Sequence, residues 1–158
     1  MEISSIIFDL DGTLLDTLKG LTDTTNKVMQ DHNFPTHSIN DYRSFIGNGL
    51  SKLIERAVPA NTPESTVEQC CADFKTVYAD SWKKGCCSYP GIDDMLVALR
   101  KKGIPIAVLS NKPHEFTKLF VEEFFPKNTF QHIYGQRAGY DKKPSPGVAL
   151  AIAGMMHV

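Results

Sequence analysis

Two acids one residue apart, Asp9 and Asp11, stand where the apolar run Ile6-Ile7-Phe8 meets Gly12 and Thr13. On an extended strand residues i and i+2 point to the same side, so both carboxylates enter one crevice while Leu10 points elsewhere. Gly12 lets the backbone turn tightly after them. Carboxylates this close repel each other, and a hard cation with oxygen ligands, Mg²⁺ above all, offsets that repulsion. Asp9 and Asp11 are therefore the expected metal ligands, at a strand end that also carries a nucleophile and an acid. An Asp-Gly loop capping a helix at Thr13 is the plainer alternative. The apolar run before the pair and the Gly-Thr after it favour chemistry.

Two further segments belong with this one. Val108-Leu109-Ser110-Asn111-Lys112 reads as a strand that ends in a hydroxyl, and Lys143-Pro144-Ser145-Pro146 sets a lysine before a Pro-x-Pro step. In type and order the three segments resemble the motifs of the haloacid dehalogenase-like hydrolase superfamily. Asn-Lys-Pro after the hydroxyl resembles its phosphoglycolate phosphatase branch. The similarity runs from Ile6 to Val158. It implies a phosphatase of small phosphorylated metabolites that passes through an aspartyl-phosphate, with Mg²⁺ held by Asp9 and by the backbone carbonyl of Asp11. The family's fourth motif, an apolar strand ending in Gly-Asp, is not found before the chain stops at His157-Val158. The expectation is thus a chain lacking its C-terminal part, with impaired activity. A phosphoglucomutase-type phosphotransferase on the same core and a non-catalytic remnant of such an enzyme are the competing readings. A dehalogenase is disfavoured because it has no use for an acid at Asp11.

Each side chain has a role that its atoms can perform. Asp9 is the candidate nucleophile toward phosphorus. Asp11 can protonate the leaving alkoxide and then activate water. Ser110 offers a hydroxyl to a nonbridging phosphate oxygen, and Lys143 a fixed positive charge as negative charge shifts. Ser110 as a helix N-cap and Lys143 as a solvated loop charge are their plainer alternatives. Gly12, Thr13 and Asn111 are expected to line the substrate. Lys112 binds a substrate anion or is a surface charge. In the stretch Phe45 to Leu50, Gly47, Asn48 and Gly49 allow close backbone approach ahead of a helix N-terminus that favours anions, with Arg43 one turn earlier. An ordinary interhelical turn is the alternative there.

The elements that must position these groups follow from the hydrophobic pattern. Residues 3 to 10 read as a strand buried on both faces, and 104 to 109 and 132 to 134 as two more. Between about residues 18 and 85 helical periodicity dominates: Leu21 to Gln30, a helix opened by a Ser38/Asp41 capping box, Ser51 to Val58, and a long helix from Pro63 closed by Gly85. Helices also follow at Ile92 to Lys102, at Pro113 to Phe125 and from Pro146. The fold class is α/β, a Rossmann-like parallel sheet core, incomplete at its C-terminal end, with a helical cap inserted after the first strand. Residues 1–17 and 86–158 form the hydrolase core and 18–85 the cap, expected to act as a lid that excludes water. Ligands of such sheets bind beyond the carboxyl ends of the strands, where Asp9, Asp11 and Ser110 lie. Without the missing strand, the edge of Ile3 to Leu10 is expected to pair with another chain, be covered by the C-terminal helix, or aggregate.

Composition narrows the partners. A formal charge of −1 over 158 residues gives no bulk attraction to nucleic acid or to an anionic membrane, and no apolar run is long enough to span a bilayer. No basic-then-apolar leader is seen, so the expected location is cytoplasmic. Cys70-Cys71 and Cys86-Cys87 lack metal or redox spacing and are expected as reduced thiols, with Cys70 or Cys71 in a helix core. The five histidines show no metal-ligand spacing.

Overall fold

Apolar runs that end at turns make the strands of this chain, and three-to-four spacing makes its helices. The computed structural model describes residues 3–158. β1 (Ile6–Phe8) and β2 (Leu15–Asp16) precede four helices: α1 (Leu18–Asp31), α2 (Ile39–Phe45), α3 (Leu50–Ala57) and α4 (Glu64–Ser81). β3 (Cys87–Ser88), α5 (Ile92–Lys101), β4 (Ile106–Pro113), α6 (His114–Phe124), β5 (His132–Gln136) and α7 (Gly147–Met155) follow. The chain divides into two compact units, one of Met1–Asp16 with Cys87–Val158 and one of Thr17–Cys86.

The first unit is the α/β one. Its parallel sheet has the order β1-β4-β5. Ile6, Ile7 and Phe8 pair with Ile106, Ala107 and Val108, and Ala107, Val108 and Leu109 pair in turn with His132, Ile133 and Tyr134. With a neighbour on each side, β4 is buried from Ile106 to Lys112, which explains its unbroken apolar stretch. On one face Ala107 and Leu109 pack with Ile152 and Met156 of the C-terminal segment, and Ile7, Tyr134, Val148 and Ala149 join them. Among the described residues no strand pairs with the far side of β1. The antiparallel pair β2 and β3, Leu15 with Ser88 and Asp16 with Cys87, lies where the chain leaves this unit and returns to it. Two-residue strands carry no readable alternation, and the hydrophobic pattern gives no sign of them.

The second unit is helical. Val28, Met29, Tyr42, Leu53, Ile54, Cys70, Phe74 and Tyr78 are buried in it. The capping box at the start of α2 is present, with Ser38 accepting from the Asp41 backbone and Asp41 accepting from Ser38 N–H at 2.8 Å. All four cysteines are free, and burial pushes the thiols of Cys70 and Cys71 up. That keeps them protonated and unreactive. No helix among the described residues is long and apolar enough to cross a membrane.

Several boundaries differ from the sequence reading. β1 covers only Ile6–Phe8, whereas β4 continues past Leu109 to Pro113. A polar tail, Ser110-Asn111-Lys112, hides this extension from any hydrophobic pattern. Ser110 therefore lies in a strand, and its reading as the N-cap of the following helix is excluded. Pro113 is the residue that precedes α6, which begins at His114.

The close approach of β5 to the start of α6 is possible because residue 135 is glycine. A Cβ there would stand 2.3 Å from Thr117 Oγ1, 2.6 Å from His114 Cα and 2.7 Å from the Lys112 carbonyl oxygen. Backbone at those distances cannot yield cheaply, so Gly135→Ala is expected to cost about 1–3 kcal/mol in urea unfolding. The same junction carries a pH dependence. His114 Nδ1 accepts the Gly135 N–H at 3.2 Å, and burial, followed by the Arg137 charge, holds the imidazole below its ordinary range. The unfolded state then binds the proton more readily, so this contribution is complete above the ordinary histidine pKa of about 6.5 and is lost as the pH falls through the lower folded value. Acid titration of stability should show that step in the wild type and lose it in His114→Gln.

Candidate active site

Residues 10 to 15 form a tight loop whose geometry begins with two buried leucines. Leu10 and Leu14 are fully buried, and the Leu10 carbonyl accepts the N–H groups of Thr13, Leu14 and Leu15 at 3.3, 3.0 and 3.1 Å. Gly12 takes φ +77°, a conformation other residues adopt with strain. Leu10 thus faces the core and the acids on either side of it remain partly exposed. Gly12 and Thr13 are exposed at the tip.

Each carboxylate has its own ammonium. Asp9 Oδ1 lies 2.8 Å from Lys143 Nζ and also accepts the Leu10 N–H at 2.8 Å. The Asp9 side chain remains 40% exposed, which leaves it open to an incoming group. Asp11 lies against Lys112, whose Nζ is 3.2 and 3.4 Å from its two oxygens. The two pairs answer the repulsion between neighbouring acids with two cations drawn from elsewhere in the chain.

Lys143 reaches this position from the loop before α7. Its ammonium also donates to the Leu109 carbonyl at 2.8 Å, so it bridges Asp9, just past β1, to the middle of β4. Asn111 fixes the backbone of that lysine. Its Oδ1 accepts the Lys143 N–H at 2.9 Å, and its Nδ2 donates to the Lys143 carbonyl at 3.2 Å. Ser110 is 3% exposed and its Oγ accepts the Lys112 N–H at 3.1 Å. A shallow depression runs beside these groups, lined by Ser110, Asn111, Lys143, Arg137 and Tyr134.

The structure therefore brings Asp9, Asp11, Ser110, Asn111, Lys112 and Lys143 to one sheet end. Lys112 is buried, so its reading as a surface charge is excluded. Gly47, Asn48, Gly49 and Arg43 belong to the helical unit and are described within it. Gly47 and Gly49 have φ +105° and +85°, and Arg43 is exposed. Arg56 holds this stretch: its guanidinium donates to the carbonyls of Ser44 and Phe45 at 3.2 and 2.8 Å and to Asn48 Oδ1 at 2.9 Å. Neither Arg56 nor the clamp made by Asn111 was expected. One basic residue in a helix and one amide after a serine have no pattern that marks such a use.

The donors can be tested for the metal. No cluster of three or more His, Cys, Asp or Glu is found among the described residues, so the site is not a cage of protein ligands. Two acids, with the Asp9 side chain 40% exposed, suit a cation that keeps much of its water and is held by one or two carboxylates plus a substrate phosphate, as Mg²⁺ is.

Known proteins match this chain along most of its length. The family model described as haloacid dehalogenase-like hydrolase matches residues 6–154. A phosphoglycolate phosphatase of Pseudomonas putida is 32% identical over 97% of this chain, and the chain spans 58% of that relative's length. A phosphoglycolate phosphatase of Nitrosococcus oceani is 31% identical over 94% of the chain and 68% of its own. Among solved structures, a predicted phosphoglycolate phosphatase from Haemophilus somnus superposes with a TM-score of 0.91 at 28% identity, covering 99% of this chain and 72% of that one.

The Asn111 clamp can be checked by unfolding. Asn111→Ala removes both bonds to Lys143 and is expected to cost about 1–3 kcal/mol in urea denaturation. Hydrogen exchange at the Lys143 amide should speed up with it.

Proposed function

The chain belongs to the haloacid dehalogenase-like hydrolases, and from that premise we propose that it is a cytoplasmic, Mg²⁺-dependent phosphatase of small phosphorylated metabolites, phosphoglycolate among them. The observation that carries this reading is the contact of Asp9 with Lys143 at the mouth of the sheet. A carboxylate there is a nucleophile with its charge partly offset and one side open. The relatives described as phosphoglycolate phosphatases support the substrate class.

In the proposed reaction a carboxylate oxygen of Asp9 attacks the phosphorus of a phosphate monoester. The bond to the ester oxygen breaks, and Asp11 gives that oxygen its proton. Asp11, now a carboxylate, takes a proton from water, whose oxygen attacks the phosphorus of the aspartyl-phosphate. Asp9 is released with inorganic phosphate, and Asp11 is again protonated. Throughout, Lys143 offsets the negative charge that shifts between oxygens, and the Ser110 hydroxyl donates to a nonbridging oxygen. Mg²⁺, held by the Asp9 carboxylate and the Asp11 carbonyl, would supply charge neutralisation between the nucleophile and the dianionic phosphate.

Residues 1–17 and 86–158 act in this scheme as the hydrolase core, and 18–85 as a cap. Choice among metabolites is assigned to the cap, where Gly47, Asn48, Gly49 and Arg43 are the candidate contacts and Arg56 holds the Asn48 side chain and the carbonyls of Ser44 and Phe45. Gly12, Thr13 and Asn111 complete the substrate set on the core. The far edge of β1 is the surface we assign to self-association. Sedimentation should then depend on concentration, and a monomer at all concentrations would refute that assignment.

The reading is tested by Mg²⁺-dependent phosphate release from phosphoglycolate and p-nitrophenyl phosphate, comparing the wild type with Asp9→Asn. Loss of about 10³-fold or more in kcat for the variant is expected, because a nucleophile cannot be replaced by a neutral amide. Equal rates would remove Asp9 from the mechanism. Transfer of the phosphoryl group to a sugar phosphate rather than to water would point to a mutase instead.

A further inference from the structure

Lys112 stands beside the proposed chemistry without access to it. Its side chain is only 3% exposed. The ammonium lies 4.4 Å from the centroid of the Phe120 ring and 3.2 and 3.4 Å from the two oxygens of Asp11. An ammonium covered by an aromatic face and directed at a carboxylate is satisfied within the protein. It has no need of a ligand and no room for one.

We propose that Lys112 is a positioning residue for Asp11, and not a substrate contact. It holds the side chain of the acid–base residue in one orientation. The proposal rests on the phosphatase reading, which gives Asp11 that role.

The geometry supports a fixed post. One ammonium engages both oxygens of Asp11, so turning the carboxylate gives up a contact. The lysine backbone is itself held on both sides: its N–H donates to Ser110 Oγ at 3.1 Å, and its carbonyl accepts the Thr117 hydroxyl at 3.2 Å. That carbonyl also packs where only Gly135 leaves space, 2.7 Å from where a Cβ would stand. Lys112 can therefore neither slide along the strand nor lift from it. Lys143 differs in each respect. It is 29% exposed and comes from a loop, which suits a charge that must meet a ligand. The two lysines divide the work, the buried one fixing the proton carrier and the exposed one serving the nucleophile and the phosphoryl group.

Two measurements test this, and the first does not depend on turnover. In protein carrying ¹³C-lysine, the Cε–Hε signals of Lys112 and Lys143 are followed in the wild type, Asp11→Asn and Asp9→Asn. The expected result is crossed: Asp11→Asn shifts Lys112 and leaves Lys143, while Asp9→Asn does the reverse. A Lys112 signal that ignores Asp11→Asn overturns the proposal. The second measurement is steady-state hydrolysis of p-nitrophenyl phosphate with Mg²⁺. Lys112→Met should lower kcat by about tenfold or more with KM within about threefold of wild type, the pattern of an interaction that matters in the transition state. Lys112→Arg, which keeps the charge, should recover part of the loss. A raised KM at unchanged kcat would make Lys112 a substrate ligand and end the proposal. If the wild type itself releases no phosphate, the phosphatase reading fails, and the lysine spectra still decide whether Lys112 holds Asp11. Should Lys112→Met not fold, Lys112→Arg and the spectra carry the test.

Discussion

Mutual repulsion between two acids at one strand end is the constraint around which this site is arranged. Asp9 and Asp11 flank the buried Leu10 just past the end of β1, where the chain leaves the strand for the loop of residues 10 to 15. The fold answers with two ammonium groups, Lys143 on Asp9 and Lys112 on Asp11. The two are not equivalent. Lys112 is 3% exposed and Asp11 16%, so that pair is largely shielded from solvent and is the more firmly held of the two. The more exposed pair, Asp9 with Lys143, is screened by solvent and is the less firmly held of the two.

Positioning both lysines is largely the task of β4 and what it touches. β4 has a strand on either side, and its end beyond Leu109 supplies Ser110, Asn111 and Lys112 in succession. Three polar residues in a buried strand end would be destabilising if left unpaired. Here each is engaged: Ser110 with the Lys112 N–H, Asn111 with both backbone groups of Lys143, and Lys112 with Asp11. The same contacts that satisfy burial thus fix the site. Gly135 and the fully buried Leu10 and Leu14 serve the same end from outside, by allowing β5 and the loop after β1 to come close.

Much of the fold can be read from residues whose pattern is local. The run Ile6-Ile7-Phe8, the periodicity of α1 to α4, the Ser38/Asp41 box and the alternation of helix and strand after Tyr89 each express a short-range rule, and each element appears at nearly the expected place. β2 and β3 were not legible, since a two-residue strand exists only by virtue of its partner. The polar end of β4 was not legible either. Ser110-Asn111-Lys112 looks like a loop until the strands that bury it are in place.

The site divides in the same way. Sequence alone marked two acids one residue apart after an apolar run, a serine after a second run, and a parallel sheet, because turn chemistry and βα order act over a few residues. Which lysine meets which acid was decided only by tertiary structure, as was the use of Asn111 to hold Lys143 and of Arg56 to hold the Ser44 and Phe45 carbonyls and the Asn48 side chain. Those contacts join residues far apart in the chain, and their strength depends on burial and distance. Neither exists until the strands have packed.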